Sequence, residues 1–327
     1  MNLVVKEYNK NYEINMGNIT QILGANFYVK YYIQESIQKH FSLYKYQEYD
    51  ERMEDNIVID GDVPGRKEYK VININSRESI IEQIRIAKGT IMYGYFNNIL
   101  ETLTCQKQIN MIDENLTNVY NVINGKLKED VGNISIDYEM QNLLFMVSKS
   151  TIYTITGEDI ERMKNYELLM VLLKLLKENN AFNPEKVLLL LQNIDHLCTR
   201  NEYAKIVEYL LEYDKNIYAL LFTSIDKYVY VNKETVGHII VFNDVSFQVP
   251  EYDAIEEYLI NNYPVHCEFD ECEIMQFLRN TLNSVGVEND EISYKDLLVK
   301  KLINKAICIN DIYDLNVRSA ELACFNA

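Results

Sequence analysis

The chain has 327 residues, of which 48% are hydrophobic and 25% charged, and this globular composition fits one large domain with an added piece, or two domains. Acidic residues outnumber basic residues by 49 to 32, so the net charge of −17 excludes unspecific attraction of the average surface to nucleic acid or to an anionic membrane. The six cysteines are scattered, the longest apolar run is too short to cross a membrane and no cleavable leader is recognisable, so we expect a soluble, cytoplasmic protein without disulfide bonds.

The first 41 residues predict short strands followed by a helix. Two runs, NLVVKEY and YEINM, flank a turn of asparagine and lysine residues, and a third run, NITQIL, leads to Gly24. Apolar residues then recur at helical spacing, with Ile33, Ile37 and Phe41 on one face. We therefore expect a helix from Phe27 to Phe41.

The junction between the third strand and this helix has the position of a phosphate-binding loop. The pattern of such loops is G-x-x-x-x-G-K-(S/T), and Gly24 and Lys30 fit its first glycine and its lysine. Val29 stands where the second glycine belongs, and Tyr31 stands where the hydroxyl that binds Mg²⁺ belongs. We predict a degenerate phosphate loop that holds no nucleotide. The alternatives are an ordinary strand-to-helix turn and a divergent P-loop ATPase.

Residues 105–180 predict a helical subdomain. After strand-like runs in NIVID and YKVININ, helical spacing begins near Arg77 and continues past two glycines, and further long helical patterns follow. Only the short extended pieces ISI and TIYTI interrupt them. Thr156 and Asp159 fit a capping box, which predicts the start of the last long helix in this region.

From residue 187 onward the pattern alternates between strands and helices. The runs VLLLLQNI, IYALLFT and HIIVF are typical of buried parallel strands, and Thr199 with Glu202 predicts a capped helix between the first two. We predict an α/β fold with a mostly parallel sheet that resembles a P-loop NTPase. Its strands are expected near 19–23, 187–192, 217–223 and 238–242.

The end of the strand near 187–192 bears on nucleotide hydrolysis. A hydrolytic site places an acid there to hold Mg²⁺, but Gln192 and Asn193 occupy these positions and Asp195 comes two residues late. Together with the missing hydroxyl in the loop, this leaves Mg²⁺ without protein ligands. We therefore predict that the protein is not an enzyme.

Two acidic segments contain candidate metal ligands. Asp137 and Glu139 precede a helical run, and their oxygens could hold Ca²⁺, although acids at such positions ordinarily cap a helix. His266, Cys267 and Cys272 lie among acids but match no zinc spacing, so we interpret that segment as a solvated acidic surface.

These features together resemble the Csn-two (Csn2) family of type II-A CRISPR–Cas adaptation proteins. The resemblance covers about residues 1–262 and rests on the degenerate loop, on the helical insertion opened by an acidic strand-to-helix turn, and on VLLLLQNIDHLCTRNEYAKIVEYLLEYDKNIYALLFTS. Within that segment Leu197, Thr199 and Glu202 match the start of a family helix. The residues after 264 exceed the short form of the family, so the chain resembles a long variant.

The resemblance implies a head, a leg and an extension. The head, 1–104 and 181–264, would be a catalytically silent relative of P-loop ATPases; the leg, 105–180, would be helical, and 265–327 would be a C-terminal helical extension. Family members form ring-shaped homotetramers whose lysine-lined channel encircles the ends of double-stranded DNA, with Ca²⁺ bound near the leg. They support spacer acquisition, a step of antiviral defence, beside the CRISPR integrase proteins and the RNA-guided effector nuclease.

By the same resemblance, Asp137 and Glu139 take the calcium role. The candidates for DNA binding, chosen by local basic density, are Lys45, Arg66, Lys67, Lys126, Lys128 and Lys149. The net charge keeps a different function open, namely an acidic scaffold that binds protein and never touches nucleic acid.

Overall fold

The structure is a computed structural model, and it describes residues 1–42, 46–132, 134–137, 149–213, 216–225, 227–264, 269–287 and 293–309. The chain divides into two compact units, the first formed by Met1–Arg77 and Glu185–Ala327 and the second by Glu78–Pro184. The predicted leg, 105–180, lies within the second unit.

Strands and helices are numbered here in chain order over the described residues. The strands are β1 (Asn2–Glu7), β2 (Lys10–Asn15), β3 (Ile19–Leu23), β4 (Ile57–Ile59), β5 (Lys70–Ile74), β6 (Val187–Leu191), β7 (Ile217–Phe222), β8 (Ile239–Phe242) and β9 (Ser246–Gln248). The helices are α1 (Phe27–His40), α2 (Arg77–Ile84), α3 (Ile91–Leu100), α4 (Leu103–Asp130), α5 (Asn165–Phe182), α6 (Arg200–Leu211), α7 (Tyr252–Asn262), α8 (Glu271–Thr281) and α9 (Tyr294–Ala306).

A six-stranded sheet in the first unit has the strand order β5-β6-β7-β3-β8-β9. The pairs from β5 to β8 are parallel, and β9 runs antiparallel to β8. In this register Ile22 lies between Phe222 and Ile240. Every residue of β3, β6 and β8 is buried, as expected for strands covered on both faces. The predicted α/β fold with a mostly parallel sheet is confirmed.

A second, antiparallel sheet has the order β2-β1-β4. β1 and β2 form a hairpin whose turn places Tyr8 at φ 47°, and Glu7 pairs with Lys10 across it. Leu3, Val5 and Glu7 are buried, whereas the alternate residues are more exposed, so one face of this sheet packs inward.

Two hydrophobic clusters form the core of the first unit. In one cluster Ile33 and Ile37 of α1 pack with residues of the six-stranded sheet such as Leu190 and Phe222. The other cluster joins Val241 of β8 to buried residues of α7, α8 and α9, namely Ile255, Leu259, Ile274, Leu278 and Leu302. The described helices of the predicted extension, 265–327, are therefore part of this core.

The helical region after Arg77 is interrupted, contrary to the prediction of one pattern that continues past two glycines. α2 ends at Ile84 and α3 begins at Ile91, and the intervening turn has Gly89 at φ +96°. Gly94, by contrast, lies inside α3, where a Cβ would come within 2.9 Å of the Asn179 Nδ2 of α5. The first glycine adopts a left-handed φ in the turn between the two helices, and the second allows close helix packing.

One predicted capping box is wrong and the other is confirmed. Asp159 accepts a hydrogen bond from the Glu161 amide at 2.8 Å and begins only the short 3₁₀ turn Ile160–Arg162. The long helix α5 starts later, at Asn165, because the Glu167 carboxylate accepts from the Lys164 amide at 3.0 Å. For α6, the Thr199 amide donates to Glu202 at 2.8 Å and the Glu202 amide donates to the Thr199 hydroxyl at 3.4 Å.

In the part of the chain that the structure describes, no helix is both long and apolar enough to cross a membrane.

Candidate functional site

The predicted phosphate loop lies between β3 and α1, at the carboxyl edge of the parallel strands. Gly24 has φ +97°, and a Cβ at this position would collide with the carbonyl oxygen of Phe242, the last residue of β8. A glycine is therefore required here by the approach of two backbones, with or without a phosphate.

The amide groups of this loop are bonded within the protein. The Ala25 amide donates to the Asn243 Oδ1 at 2.7 Å, and the Asn26 amide donates to the Phe242 carbonyl oxygen at 2.9 Å. The Asn26 side chain caps α1 by accepting from the Val29 amide at 3.2 Å. These are amides that a phosphate-binding loop would direct at its ligand.

The lysine of the loop points inward. Lys30 is only 4% exposed, and its ammonium donates to the Gly24 carbonyl oxygen at 2.5 Å, the Thr223 carbonyl oxygen at 2.9 Å and the Ser224 hydroxyl at 2.6 Å. An ammonium group has three hydrogens, so these contacts use all of its donors. Burial lowers the pKa of Lys30 to about 8, and the negative charge of Asp195 opposes this shift.

Asp195 lies near the lysine, in the 3₁₀ turn that follows β6. One oxygen of its buried carboxylate accepts from the Ser224 amide at 2.6 Å and the Ile225 amide at 2.8 Å. The other oxygen, Oδ1, is buried and has no hydrogen-bond partner among the described residues. Asp195 thus fixes the segment after β7, and the same segment supplies two of the three hydrogen-bond acceptors of Lys30.

Asn243, directly after β8, joins the loop to the C-terminal region. Besides accepting from Ala25, its side chain donates to the carbonyl oxygens of Asn283 at 2.9 Å and Val285 at 2.6 Å. The carboxyl edge of the sheet is therefore closed by hydrogen bonds from the protein's own segments. Sequence reasoning missed Asn243 and Ser224; the available signal was that each follows the end of a parallel strand.

The predicted DNA-binding residues near the end of α1 have different environments. Arg66 donates to the carbonyl oxygens of His40 at 3.1 Å and Lys39 at 3.4 Å, and its guanidinium lies 5.1 Å from the ring centroid of Tyr46. Arg66 therefore caps the last turn of α1. Lys67 is exposed, and Lys45 lies outside the described residues.

The predicted leg residues lie on or after α4 of the second unit. Lys126 and Lys128 are exposed on this helix, and Lys126 pairs with Glu129 at 2.9 Å. Lys149 is exposed and lies outside the described helices. The structure thus places two of these three lysines within one helical turn.

The predicted calcium ligands are described only in part. Asp137 is exposed, whereas Glu139 lies outside the described residues. Within the described ranges, no group of three or more His, Cys, Asp or Glu side chains is arranged to hold a metal ion. The calcium site stays a prediction.

Comparisons with known proteins identify relatives of the chain. A family model described as CRISPR-associated protein Csn2 subfamily St matches residues 4–314. Among solved structures, the crystal structure of Stu0660 of Streptococcus thermophilus matches with a TM-score of 0.84 and 20% sequence identity, over 100% of this chain and 99% of that chain. At this identity the structural likeness establishes a common fold. No protein with a curated description matches the chain.

Proposed function

Because the chain belongs to the St subfamily of the CRISPR-associated Csn2 proteins, we propose that it is a non-catalytic, homotetrameric ring that binds the ends of double-stranded DNA in spacer acquisition. The match of the family model to residues 4–314 carries this proposal, since the family supports a role in CRISPR adaptation. The proposed partners are the integrase proteins and the RNA-guided effector nuclease, in the cytoplasm.

The absence of nucleotide chemistry is the first part of the proposal. Lys30 donates all three of its hydrogen bonds to the protein, and the amides of Ala25 and Asn26 are bonded to the end of β8 and to Asn243. A β-phosphate needs these same donors. In this loop they are already hydrogen-bonded to other groups of the protein, so they do not face a nucleotide. We expect purified protein to show no turnover of ATP or GTP with Mg²⁺; turnover that Lys30→Ala abolishes would contradict this.

Ring formation is the second part, and α4 supports it. This helix of 28 residues has no buried residue. Ile112, Leu116, Val119 and Ile123 are 37–52% exposed and follow one another at spacings of four, three and four, which is the seam of a coiled coil. A stripe of this kind needs an apolar partner, and a second copy of the chain in the ring would supply it.

DNA binding by an acidic protein is the third part. Symmetry repeats the same patch around the hole of a closed ring, so a few exposed lysines such as Lys126 and Lys128 become a local positive field. Ca²⁺ at Asp137 and Glu139 would neutralise opposing charge nearby. Contacts would be to phosphates without reading of sequence, because these two lysines bind as point charges.

The calcium and charge requirements are tested together. We expect the protein with Ca²⁺ to sediment as an oligomer and to bind linear duplex with an affinity that falls by about a decade or more for a few-fold rise in salt. Chelation, or Asp137→Ala with Glu139→Ala, should weaken both the oligomer and the DNA affinity. The matched control removes two exposed acids of α7, Asp253→Ala with Glu257→Ala, and should change neither. A monomer with Ca²⁺, or an affinity indifferent to salt and to the variant, would contradict the proposal.

A further inference from the structure

An apolar cavity of about 180 Å³ lies between β9 and the helices α7, α8 and α9 of the first unit. Its floor consists of buried side chains, and its rim includes two exposed alanines, one on α7 and one at the end of α9. The floor residues are Val249, Leu259, Leu278 and Leu282, and the rim residues are Ala254 and Ala306. The exposed alanines place the opening of the cavity between α7 and α9.

The lining of the cavity selects an apolar occupant. Among the described residues that line it, the only polar side-chain atom is the Tyr258 hydroxyl, which donates to the Leu302 carbonyl oxygen at 3.1 Å. A polar or charged ligand would lose its hydration here without gaining a hydrogen bond. An apolar cavity left empty costs stability in proportion to its volume, and one of about 150 Å³ holds a benzene ring. The cavity therefore has room for one aromatic side chain.

The last described residue, Ile309, lies beside this cavity. Its side chain and that of Val245 both contact Gly286, where a Cβ would come within 3.3 Å of the Ile309 Cδ1 and 3.8 Å of the Val245 Cγ2. Phe247, which lines the cavity, follows Val245 by two residues at the beginning of β9, so both side chains leave the same face of the chain. The chain therefore leaves α9 about one strand step from the cavity wall.

The end of α9 turns the chain away from the helix axis. The Ile309 amide donates to the Asn304 carbonyl oxygen at 2.8 Å and the Cys308 amide to that of Lys305 at 3.1 Å, while Cys308 has φ 62°. These are the two bonds and the left-handed residue of a Schellman motif. Residues 310–327 follow this turn and lie outside the described residues, and their longest apolar run is LACF at 322–325. The residues between the turn and this run can span about 40 Å when extended, so the run reaches the cavity.

We propose that residues 322–325 bind back onto the first unit of the same chain, with the ring of Phe325 in the cavity. The other aromatic residue of 310–327 is Tyr313, and its hydroxyl would be buried there without a partner. Attachment to the same chain gives the run a high effective concentration at the cavity, so a single ring suffices. Leu282 of the floor directly precedes Asn283, whose carbonyl oxygen accepts from Asn243, so an occupied cavity supports the contact that closes the carboxyl edge of the sheet. This inference is independent of the proposed DNA binding.

The test uses the native Cys324, which directly precedes Phe325, as a cross-linking group in the full chain. In the background chain the three cysteines between residues 265 and 309 are replaced, namely Cys267→Ser, Cys272→Ser and Cys308→Ser. With Ala254→Cys at the rim, mild oxidation should join position 254 to Cys324 within one chain, as read by mass spectrometry of tryptic peptides. The matched control is Glu257→Cys, an exposed position of the same helix that does not line the cavity, and it should give little of this disulfide. Adding Phe325→Ala should lower the yield at position 254 at least about fivefold.

A second measurement uses toluene as a probe of the empty cavity. In the wild type the ring of Phe325 occupies the space, so toluene should leave the thermal midpoint unchanged. In Phe325→Ala, saturating toluene should raise the midpoint by roughly 2 °C. Ala306→Leu, which places a larger side chain at the rim, should reduce this rise when it is combined with Phe325→Ala.

Three results would overturn the inference. Equal disulfide yields at positions 254 and 257 would show that residues 322–325 do not select the cavity. A disulfide that joins two chains, detected by mixing isotope-labelled and unlabelled protein, would make a second copy the occupant. A wild type that toluene stabilises as strongly as it stabilises Phe325→Ala would show that the cavity is open to a free apolar molecule and does not hold the ring.

Discussion

Replacing Lys30 with methionine is expected to lower the free energy of unfolding by about 3 kcal/mol. The substitution leaves the carbonyl oxygens of Gly24 and Thr223 without their donor, and it removes the positive charge that faces the buried carboxylate of Asp195. Methionine has a similar length and fills the space, so the loss reflects the polar contacts. It also removes the cost of burying an ammonium group, which is why the expected loss is moderate.

Chemical denaturation measures this effect as a shift of the midpoint. The control is Lys233→Met, which removes an exposed lysine paired with Glu271 at 2.9 Å and should shift the midpoint only slightly. Asp195→Asn should cost less in the Lys30→Met background than in the wild type, since the two groups interact. Equal midpoints for Lys30→Met and Lys233→Met would show that the buried lysine does not hold the carboxyl edge together.

The difference in stability between the wild type and Lys30→Met depends on pH, because the pKa of Lys30 is lowered in the folded chain. The pKa is about 8 in the folded chain and 10.5 in its ordinary state, so between these values the unfolded chain binds more protons. Stability from this group therefore rises as the pH increases from 8 to about 10.5. The advantage of the wild type over Lys30→Met should grow in that window.

The sheet could be predicted because its signals are local. The runs at 187–191 and 217–222 are short, continuous and apolar, and an intervening helix with the Thr199–Glu202 box enforces parallel pairing. The break before α3 could not be predicted from apolar spacing, because it depends on the left-handed φ of Gly89. The late start of α5 could not be predicted from Thr156 and Asp159, because Asp159 caps the 3₁₀ turn Ile160–Arg162 instead.

The site could be predicted only in outline. The sequence predicted the positions of Gly24 and Lys30 and showed that the loop departs from the phosphate-binding pattern. The direction of the Lys30 side chain, however, depends on Thr223 and Ser224, more than 190 residues away. The closure of the same edge depends on Asn243 and its bonds to the C-terminal region. Pairings over such distances in the chain leave no local pattern. The calcium pair stays a prediction, because the described residues include Asp137 but not Glu139.

Enclosure of DNA by a ring of chains predicts a difference that contacts along the side of a duplex cannot produce. A closed ring takes up a duplex over a free end, whereas a covalently closed circle offers no end to thread. The phosphate contacts are the same in both molecules, so a difference in affinity comes from the free end. A protein that reads the grooves would bind the linear and the circular duplex equally, and an acidic scaffold would bind neither.

Gel mobility with one plasmid sequence, prepared as a linear duplex and as a relaxed closed circle, measures this difference directly. With Ca²⁺ and at moderate salt, where weak phosphate contacts are screened, we expect binding to the linear form and none to the circle. Cutting the circle once should restore binding. Equal affinity for both forms, or binding to neither, would show that the chain does not enclose DNA over a free end.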